Sequence, residues 1–213
     1  MIKQISLILI CAALTSCGVN YDGESRLVTQ ITVVDRDGSP IAGRPVDITV
    51  ADDGDYDVIS NSVTDSNGHA LLIFPTPDFD DKIQISIYGD GIWQYQYYHN
   101  LTRLNFKDYK FVINTNLYRL LEITQLNIKL NHVNLDRHVG DIRIEGLQPR
   151  TNVYFQSQPS NLPSYPDEPV SFFVLQEQSI TLHYTIYQDS GPQEYTETVQ
   201  IGTDHLLDYT ITY

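Results

Sequence analysis

The sequence predicts an all-β protein made of two tandem antiparallel β-sandwich domains that follow a cleaved export signal. Short runs of alternating apolar and polar residues recur along the chain, and Gly, Pro, Asn and Asp separate them. No window of eleven or more residues carries a convincing helical period. The length of 213 residues allows one large domain or two of about 100 residues each. Many short strands with frequent turns are typical of a sandwich.

The first half of the chain carries seven candidate strands. Turn-forming residues separate them, as in Asp35–Pro40 and Asp65–Gly68, where Gly and Pro provide the backbone angles that turns need. Pro75 and Pro77 are expected to stop the fourth strand, because proline offers no N–H to a strand ladder. Leu101–Lys107 is long enough for one short helical turn. The predicted strands are Leu27–Val34, Val46–Val50, Val58–Val63, Ala70–Phe74, Lys82–Tyr88, Ile92–Tyr98 and Tyr109–Thr115.

The second half follows the same pattern more loosely, without a detectable sequence repeat. Gln158–Pro169 holds four prolines, too many for the interior of a strand or helix. A boundary at Asn114–Asn116 divides the chain into sandwich domains at residues 27–115 and 117–213. The predicted strands of this half are Tyr118–Leu130, Asp141–Glu145, Thr151–Gln156, Val170–Leu175, Ser179–Tyr187, Glu194–Ile201 and Leu207–Tyr213.

Residues 1–16 have the organisation of an export signal. Lys3 gives the start a positive charge, Ile5–Leu14 is an apolar segment too short to span a bilayer comfortably, and small residues lead to Cys17. The motif Leu14–Cys17 resembles the lipobox of bacterial lipoproteins, which signal peptidase II cleaves before the cysteine. Cys11 does not fit this motif, because the bulky Ile10 precedes it. The resemblance implies that residues 1–16 are removed.

The lipobox resemblance also implies that Cys17 carries a diacylglyceryl group and fatty acids such as palmitate. Residues 17–26 would form a lipidated tether, and no disulfide is expected, because Cys17 is the one cysteine left after cleavage. Gly18 stands where an aspartate would retain a lipoprotein at the inner membrane. The expected location is therefore the cell envelope, with the chain lipid-anchored in the outer membrane and facing the periplasm or the cell surface.

The charge of the chain limits its partners. A formal net charge of −14 repels phosphate backbones, so no nucleic-acid partner is expected. Membrane contact is expected through the acyl chains rather than through a basic patch. A protein or a glycan is the expected further partner, and no motif identifies it.

Two motifs in the first half resemble those of transthyretin-like and bacterial Ig-like sandwiches. Val33–Val50 contains the pattern Asp-x-x-Gly-x-Pro-x-x-Gly between two strands, and Thr64–Ala70 reads Thr-Asp-x-x-Gly-x-Ala. Carboxypeptidase regulatory-like domains and the repeats of intimin-type adhesins share this pattern. The resemblance implies a β-sandwich module over about Leu27–Phe74. Related pilin modules carry a first-strand lysine that forms an isopeptide crosslink, but Leu27–Val34 contains no lysine, so that chemistry is not expected.

Three aspartates, Asp53, Asp55 and Asp57, alternate like the first carboxylates of a calcium-binding loop. Val58 stands where an EF-hand requires Gly, and Thr64 stands where it requires Glu. Two interpretations stay open: a solvated hairpin and a calcium site of low affinity. No other metal site is expected, because the six histidines lack metal-ligand spacing. No cofactor is expected beyond the acyl modification of Cys17.

Trp93, Tyr95 and Tyr97 share one face of a predicted strand, and Gln94 and Gln96 share the other. Aromatic rings on an exposed face can stack on sugar rings, whereas rings on an inward face pack in a core. The apolar character of the face favours the core, and a glycan-stacking site is the alternative.

These observations favour a non-enzymatic envelope lipoprotein whose tandem sandwiches serve adhesion, scaffolding or envelope assembly. No catalytic residues are expected, because the sequence has no G-x-S-x-G motif and no cysteine after Cys17. A carbohydrate-binding accessory lipoprotein of a polysaccharide-uptake system is the alternative, and it requires exposed aromatic residues on a flat or concave surface. An enzyme would require a cleft that gathers carboxylates from both halves.

Overall fold

The computed structural model describes residues 19, 21–52, 55–134, 136–155 and 170–213. The signal peptide, the predicted lipidation site Cys17, Asp53 and the Gln158–Pro169 loop lie outside this part of the chain. Within it the prediction of an all-β sandwich protein is confirmed, because the described residues form fourteen strands and no α-helix. No described helix is long and apolar enough to cross a membrane.

The first seven strands form most of one sandwich. A three-stranded sheet, in the order β4-β1-β7, packs against a five-stranded sheet in the order β10-β6-β5-β2-β3. A single hydrophobic core, to which both sheets contribute, lies between them. A short 3₁₀ turn at Arg103–Asn105 confirms the predicted helical turn. The strands are β1 (Tyr21–Val34), β2 (Pro45–Asp52), β3 (Asp55–Val63), β4 (His69–Pro77), β5 (Lys82–Ile87), β6 (Gln96–Leu101) and β7 (Lys110–Asn116).

The second sandwich has two three-stranded sheets, in the orders β11-β8-β14 and β13-β12-β9. Its core is a separate hydrophobic cluster that includes Leu126, Leu182 and Val199. In each half of the chain the first strand pairs in parallel with the last, β1 with β7 and β8 with β14, so the sheets are not wholly antiparallel. The strands are β8 (Ile123–Asn131), β9 (His138–Glu145), β10 (Asn152–Tyr154), β11 (Val170–Leu175), β12 (Gln178–Tyr187), β13 (Gln193–Ile201) and β14 (Leu206–Thr212).

Alternation along β1 explains how its residues meet the core. Leu27, Thr29, Ile31 and Val33 are buried, while the alternate residues between them are partly or largely exposed. The strand begins at Tyr21 rather than Leu27, and Val19 is also buried in the first core. Part of the predicted 17–26 tether is therefore strand. Sequence alone did not indicate this, because the segment from Tyr21 to Arg26 is polar and contains the bulge opposite β4.

The prediction that prolines end the fourth strand is wrong. Strand β4 continues through Pro75 to Pro77, opposite Arg26 and Tyr21 of β1. Because β4 lies at the edge of its sheet, it pairs on one side only, and a residue without an N–H is tolerated there.

The chain crosses between the sandwiches more than once. Strand β10 comes from the predicted second domain, yet it pairs in parallel with β6 at the edge of the first sandwich, with Val153 opposite Tyr98. The N–H of Tyr97 donates to the Thr151 carbonyl at 2.8 Å, and the N–H of Phe155 donates to the His99 carbonyl at 3.1 Å. The edge of β6 would otherwise present unpaired backbone groups. The predicted division at residue 116 thus does not describe this segment.

The connection after β7 also belongs in part to the first sandwich. Asn114–Asn116, the predicted boundary, are the last residues of β7, and Leu117 is fully buried in the first core. A 3₁₀ turn at Leu120–Glu122 then leads into β8. The N–H of Leu120 donates to the Ile92 carbonyl at 2.7 Å, which ties this turn to the segment before β6.

Candidate functional site: an aromatic cleft between the sandwiches

The predicted aromatic strand has the expected two faces, but the inward face is the opposite one. Gln94 and Gln96 are buried with Tyr98, whereas Trp93 and Tyr97 are half-buried and Tyr95 is 47% exposed. The expectation that this face forms core does not hold for Tyr95, which is exposed, whereas Trp93 is half-buried and packs against the edge of the first core.

Pairing with β5 fixes this orientation. Tyr98 lies opposite Ile85, a core residue, so residues two positions apart from Tyr98 also point inward. Gln96 is accommodated inside because the hydroxyl of Thr115 donates to its side-chain oxygen. Regular pairing within β6 begins only at Gln96, and Trp93 instead forms an isolated bridge with Arg119.

The outward side of this region carries a continuous row of rings. Tyr95 and Tyr97 have ring centroids 4.9 Å apart, Tyr97 and His99 are 5.8 Å apart, and His99 stacks on Tyr154 of β10 at 4.8 Å. Tyr88 meets Tyr97 edge to face at 6.4 Å. The second half of the chain therefore extends an aromatic surface that the first sandwich begins.

A cleft of about 690 Å³ lies where this surface faces the second sandwich, and we call it the aromatic cleft. Phe173, which is 58% exposed, belongs to the wall from the second sandwich. The size falls within the range of about 300–1,000 Å³ that is usual for ligand sites. The first sandwich contributes Tyr88, Trp93, Tyr95 and Tyr97, and the connector and second sandwich contribute Leu120, Ile123, Gln125, Phe173 and His205.

The position of Trp93 is fixed from two sides. The guanidinium of Arg119 lies 5.3 Å from the centre of its ring, a cation–π contact. Asp90 Oδ1 accepts the backbone N–H groups of Ile92 and Trp93 at 2.8 and 2.9 Å. Asp90 Oδ2 pairs with Arg44 Nη1 at 2.5 Å. Trp93 therefore stands at the cleft in a defined orientation.

The cleft is close to electrically neutral. Asp90 is the one acidic residue among the described residues that line it, and it is paired with Arg44. The backbone N–H of Trp93, the Arg44 guanidinium and the backbone N–H of Ile92 lower the pKa of Asp90 to about 2. Hydroxyl groups of tyrosines and the side chains of Gln125 and Thr151 provide uncharged hydrogen-bonding groups. This set suits a neutral ligand with both apolar and hydroxyl surfaces.

Gln94 lines the same cleft but differs from its neighbours in hydrogen bonding. Its side-chain oxygen and nitrogen are buried, and neither has a hydrogen-bond partner in the described part of the chain. Leaving a buried amide unpaired costs about 1–3 kcal/mol. Gln94 is therefore a local weak point of the fold, and no sequence signal distinguishes it from its bonded neighbour Gln96.

A second cavity of about 710 Å³ lies on the other side of β6. Gln96, Asn114, Asn116, Gln148 and Arg150 are among its lining residues. It lacks the exposed aromatic row of the cleft, so its polar walls offer no comparable stacking surface.

The predicted calcium site stays a prediction. Asp53 lies outside the described residues, and Asp57 Oδ2 accepts a hydrogen bond from the Tyr21 hydroxyl at 3.1 Å. In the described ranges no group of three or more His, Cys, Asp or Glu side chains is arranged to hold a metal ion. Cys17 and its predicted acylation also lie outside these ranges.

Comparison with known proteins supports a sandwich module in the first half. The family profile of the macroglobulin domain MG4 matches residues 26–90, which is less than half of the chain. The matched residues run from within β1 to just after β5 of the structure, and they include the two motifs that resemble Ig-like sandwiches. No curated protein matches the chain.

Several solved structures align with most of the chain at low similarity. The Bacillus anthracis TIE protein is 10% identical, with 89% of this chain and 34% of that chain covered and a TM-score of 0.29, so this chain spans about a third of that protein. A mutant of the shaft pilin SpaA from Lactobacillus rhamnosus GG is 10% identical, with 88% and 98% covered and a TM-score of 0.36. The minor pilin from Streptococcus agalactiae is 14% identical, with 87% and 94% covered and a TM-score of 0.29. These scores are too low to carry function across.

Proposed function

We propose that this chain is a non-enzymatic lipoprotein of the cell envelope whose aromatic cleft is a binding surface for adhesion. The observation that carries the proposal is that Trp93, Tyr95 and Tyr97 are only partly buried or exposed and together line one wall of a concave, neutral cleft. Exposed apolar surface of this kind is typical of interaction sites. Lipid attachment at Cys17 and an outer-membrane location belong to the proposal.

Contacts between the sandwiches support a scaffolding contribution. Strand β10 joins the first sandwich, and Arg36 Nη2 donates to the Gln176 carbonyl of the second at 3.3 Å. The Asn116 side chain donates to the Asp35 carbonyl at 2.8 Å, next to the point where the chain leaves β7. Strand pairing and a side-chain hydrogen bond therefore join the two sandwiches, in addition to the chain connections themselves.

Lipid attachment is tested by metabolic labelling with a fatty-acid analogue. The wild-type chain should be labelled, and Cys17→Ser should leave an unlabelled precursor, with Cys11→Ser as the matched control that keeps its label. Labelling that persists in Cys17→Ser would refute the lipoprotein assignment.

Adhesion is tested in cells that lack the protein and are complemented with the wild-type chain. Deletion should lower attachment or cell aggregation, and complementation should restore it. Equal attachment with and without the protein would refute the adhesive role.

The second candidate is a carbohydrate-binding accessory lipoprotein, which the same cleft favours. Aromatic rings stack on the apolar faces of sugars, and the tyrosine hydroxyls can bond sugar hydroxyls. Trp93 is the single tryptophan of the sequence, so its fluorescence reports directly on the cleft.

Titration with neutral hexasaccharides of glucose, mannose, xylose and galactose tests this candidate. Tyr95→Ala and Phe173→Ala should each weaken binding at least about tenfold, an effect of about 1.4 kcal/mol. Tyr56→Ala, the same kind of change at a more exposed aromatic residue outside the cleft, should leave binding unchanged. Lack of saccharide binding by the wild-type chain would remove this candidate and leave the adhesive proposal to the cell assay.

A further inference from the structure

Exposed apolar side chains surround the end of the first sandwich at which β1 begins. They are Phe79 in the β4–β5 loop and Leu104 and Tyr109 in the β6–β7 loop, and they are 50%, 71% and 61% exposed. We call these three residues the N-terminal rim. The guanidinium of Arg103 lies 4.9 Å from the centre of the Phe79 ring, so the two loops touch.

Strand directions place the rim beside the N-terminus. Strand β4 runs antiparallel to β1 and brings Pro77 opposite Tyr21, so the loop that carries Phe79 follows directly. Strand β7 runs parallel to β1 and begins at Lys110, so the loop that carries Leu104 and Tyr109 ends at the same place. A recess lined by Asp22, Thr76, Leu104 and Tyr109 joins these segments.

The chain leaves almost no slack between this end and the predicted anchor. Val19 is 8% exposed and belongs to the first core, and Cys17 precedes it by two residues. An extended chain spans at most about 3.6 Å per residue, so two residues reach roughly 7 Å. Acyl chains on Cys17 would therefore hold this end of the sandwich against the membrane.

We propose that the N-terminal rim rests on the bilayer surface, with Phe79 and Leu104 entering the interfacial region. The inference rests on the proposed lipid anchor at Cys17. Apolar tips gain from leaving water at a membrane interface, and Tyr109 suits the headgroup level because its ring is apolar and its hydroxyl polar. The two loops hold Asp78, Asp80, Asp81 and Asp108 against Arg103 and Lys107, four negative charges against two positive ones. This net charge of −2 suits zwitterionic rather than anionic lipid.

This docking determines where the aromatic cleft lies relative to the membrane. Strand β7 starts at the rim and ends at Asn116. Near this far end, the carbonyl of Tyr118 accepts the N–H of Gln94 at 3.0 Å. The cleft and the second sandwich therefore lie at the end away from the lipid. A ligand on the aqueous side reaches the cleft without passing the membrane surface.

The test uses the full acylated chain in phosphatidylcholine vesicles, with single-tryptophan reporters. In a Trp93→Phe background, Leu104→Trp places the reporter on the rim, and Leu121→Trp, at a site 59% exposed in the connector, is the matched control. Lipids brominated in their acyl chains quench tryptophan that enters the bilayer, and acrylamide quenches tryptophan in water. Mass spectrometry establishes acylation of each sample.

The reporter at position 104 is expected to shift to the blue on reconstitution and to be quenched at least about twofold more by brominated lipid than the reporter at position 121. Equal quenching of both reporters in acylated samples would overturn rim docking and leave the lipoprotein assignment standing. Absence of acylation would overturn both. Stronger quenching at position 104 in phosphatidylglycerol than in phosphatidylcholine would overturn the choice of zwitterionic lipid.

Discussion

Gly68 tests how far local geometry controls the first sandwich. It has a φ of +74° in the turn between β3 and β4, where the Asp65 side chain accepts the N–H groups of Asn67 and His69 at 2.8 and 2.9 Å. A Cβ atom at Gly68 would lie 2.2 Å from the Val33 carbonyl oxygen. That oxygen cannot easily move, because it accepts the N–H of Ile41 at 3.0 Å.

Gly68→Ala should therefore lower the free energy of unfolding through two effects. The left-handed backbone conformation costs roughly 1–2 kcal/mol for a residue with a Cβ atom. Forcing an extra carbon into packed structure costs about 1–3 kcal/mol more. The expected loss is about 2–5 kcal/mol in the first sandwich.

Gly38→Ala is the matched control. Gly38 has a φ of +83°, but a Cβ atom there meets nothing within 4 Å, so this change carries the backbone cost without the clash. Both substitutions reduce the entropy of the unfolded chain alike, and this effect cancels in the comparison.

Urea unfolding, followed by Trp93 fluorescence and by circular dichroism, measures both variants. Gly68→Ala should be less stable than Gly38→Ala by about 1–3 kcal/mol. Equal unfolding midpoints for the two variants would refute the clash with Val33, and a Gly68→Ala protein as stable as wild type would refute the entire argument.

Three further predictions follow from buried amides, from the cleft ion pair and from the chain organisation. Gln94→Met should leave the free energy of unfolding unchanged or raise it, because no hydrogen bond is lost. Gln96→Met should lower it by about 1–3 kcal/mol, because the Thr115 hydroxyl loses its acceptor. Equal losses for the two variants in thermal unfolding would contradict this prediction. Folding lowers the pKa of Asp90 from its ordinary value of 3.8 to about 2, so Asp90 should stabilise the fold above pH 3.8, and this stability should be lost as the pH falls towards 2. In a nuclear magnetic resonance titration, Arg44→Met should raise the pKa of Asp90, and the control Lys110→Met should leave it unchanged. A Leu27–Thr115 fragment should melt at a lower temperature than a Val19–Glu122 fragment, because Val19 and Leu117 belong to the first core, and equal melting would show that these ends contribute little.

Local features of the fold were readable in the sequence. Alternation located the strands, since a period of two residues marks one buried face whatever the partner is. Turn chemistry at Asp65–Gly68 was equally local, and the positive φ of Gly68 confirms it. The short turn at Arg103–Asn105 also lies where the sequence predicted it.

The site itself depended on partners far away in the chain. Alternation showed that Trp93 and Tyr95 share a face, but both faces of that strand contain large side chains, so the pattern did not decide which one points inward. Pairing of β6 with β5 made that choice, and the second sandwich provided the opposite wall with Phe173. Chain order likewise gave no sign that Asn152–Tyr154 would add to β6.

By itself the sequence determined the all-β class, the positions of most strands and the turns that need glycine, because these depend on neighbours along the chain. Only the tertiary structure decided that Pro75 and Pro77 lie in an edge strand, that β10 joins the first sandwich, and that Gln94 rather than Trp93 is buried. Those outcomes depend on which strand edges meet and which faces are covered. Contacts between residues distant in sequence set them, and the pattern of any single segment does not record those contacts.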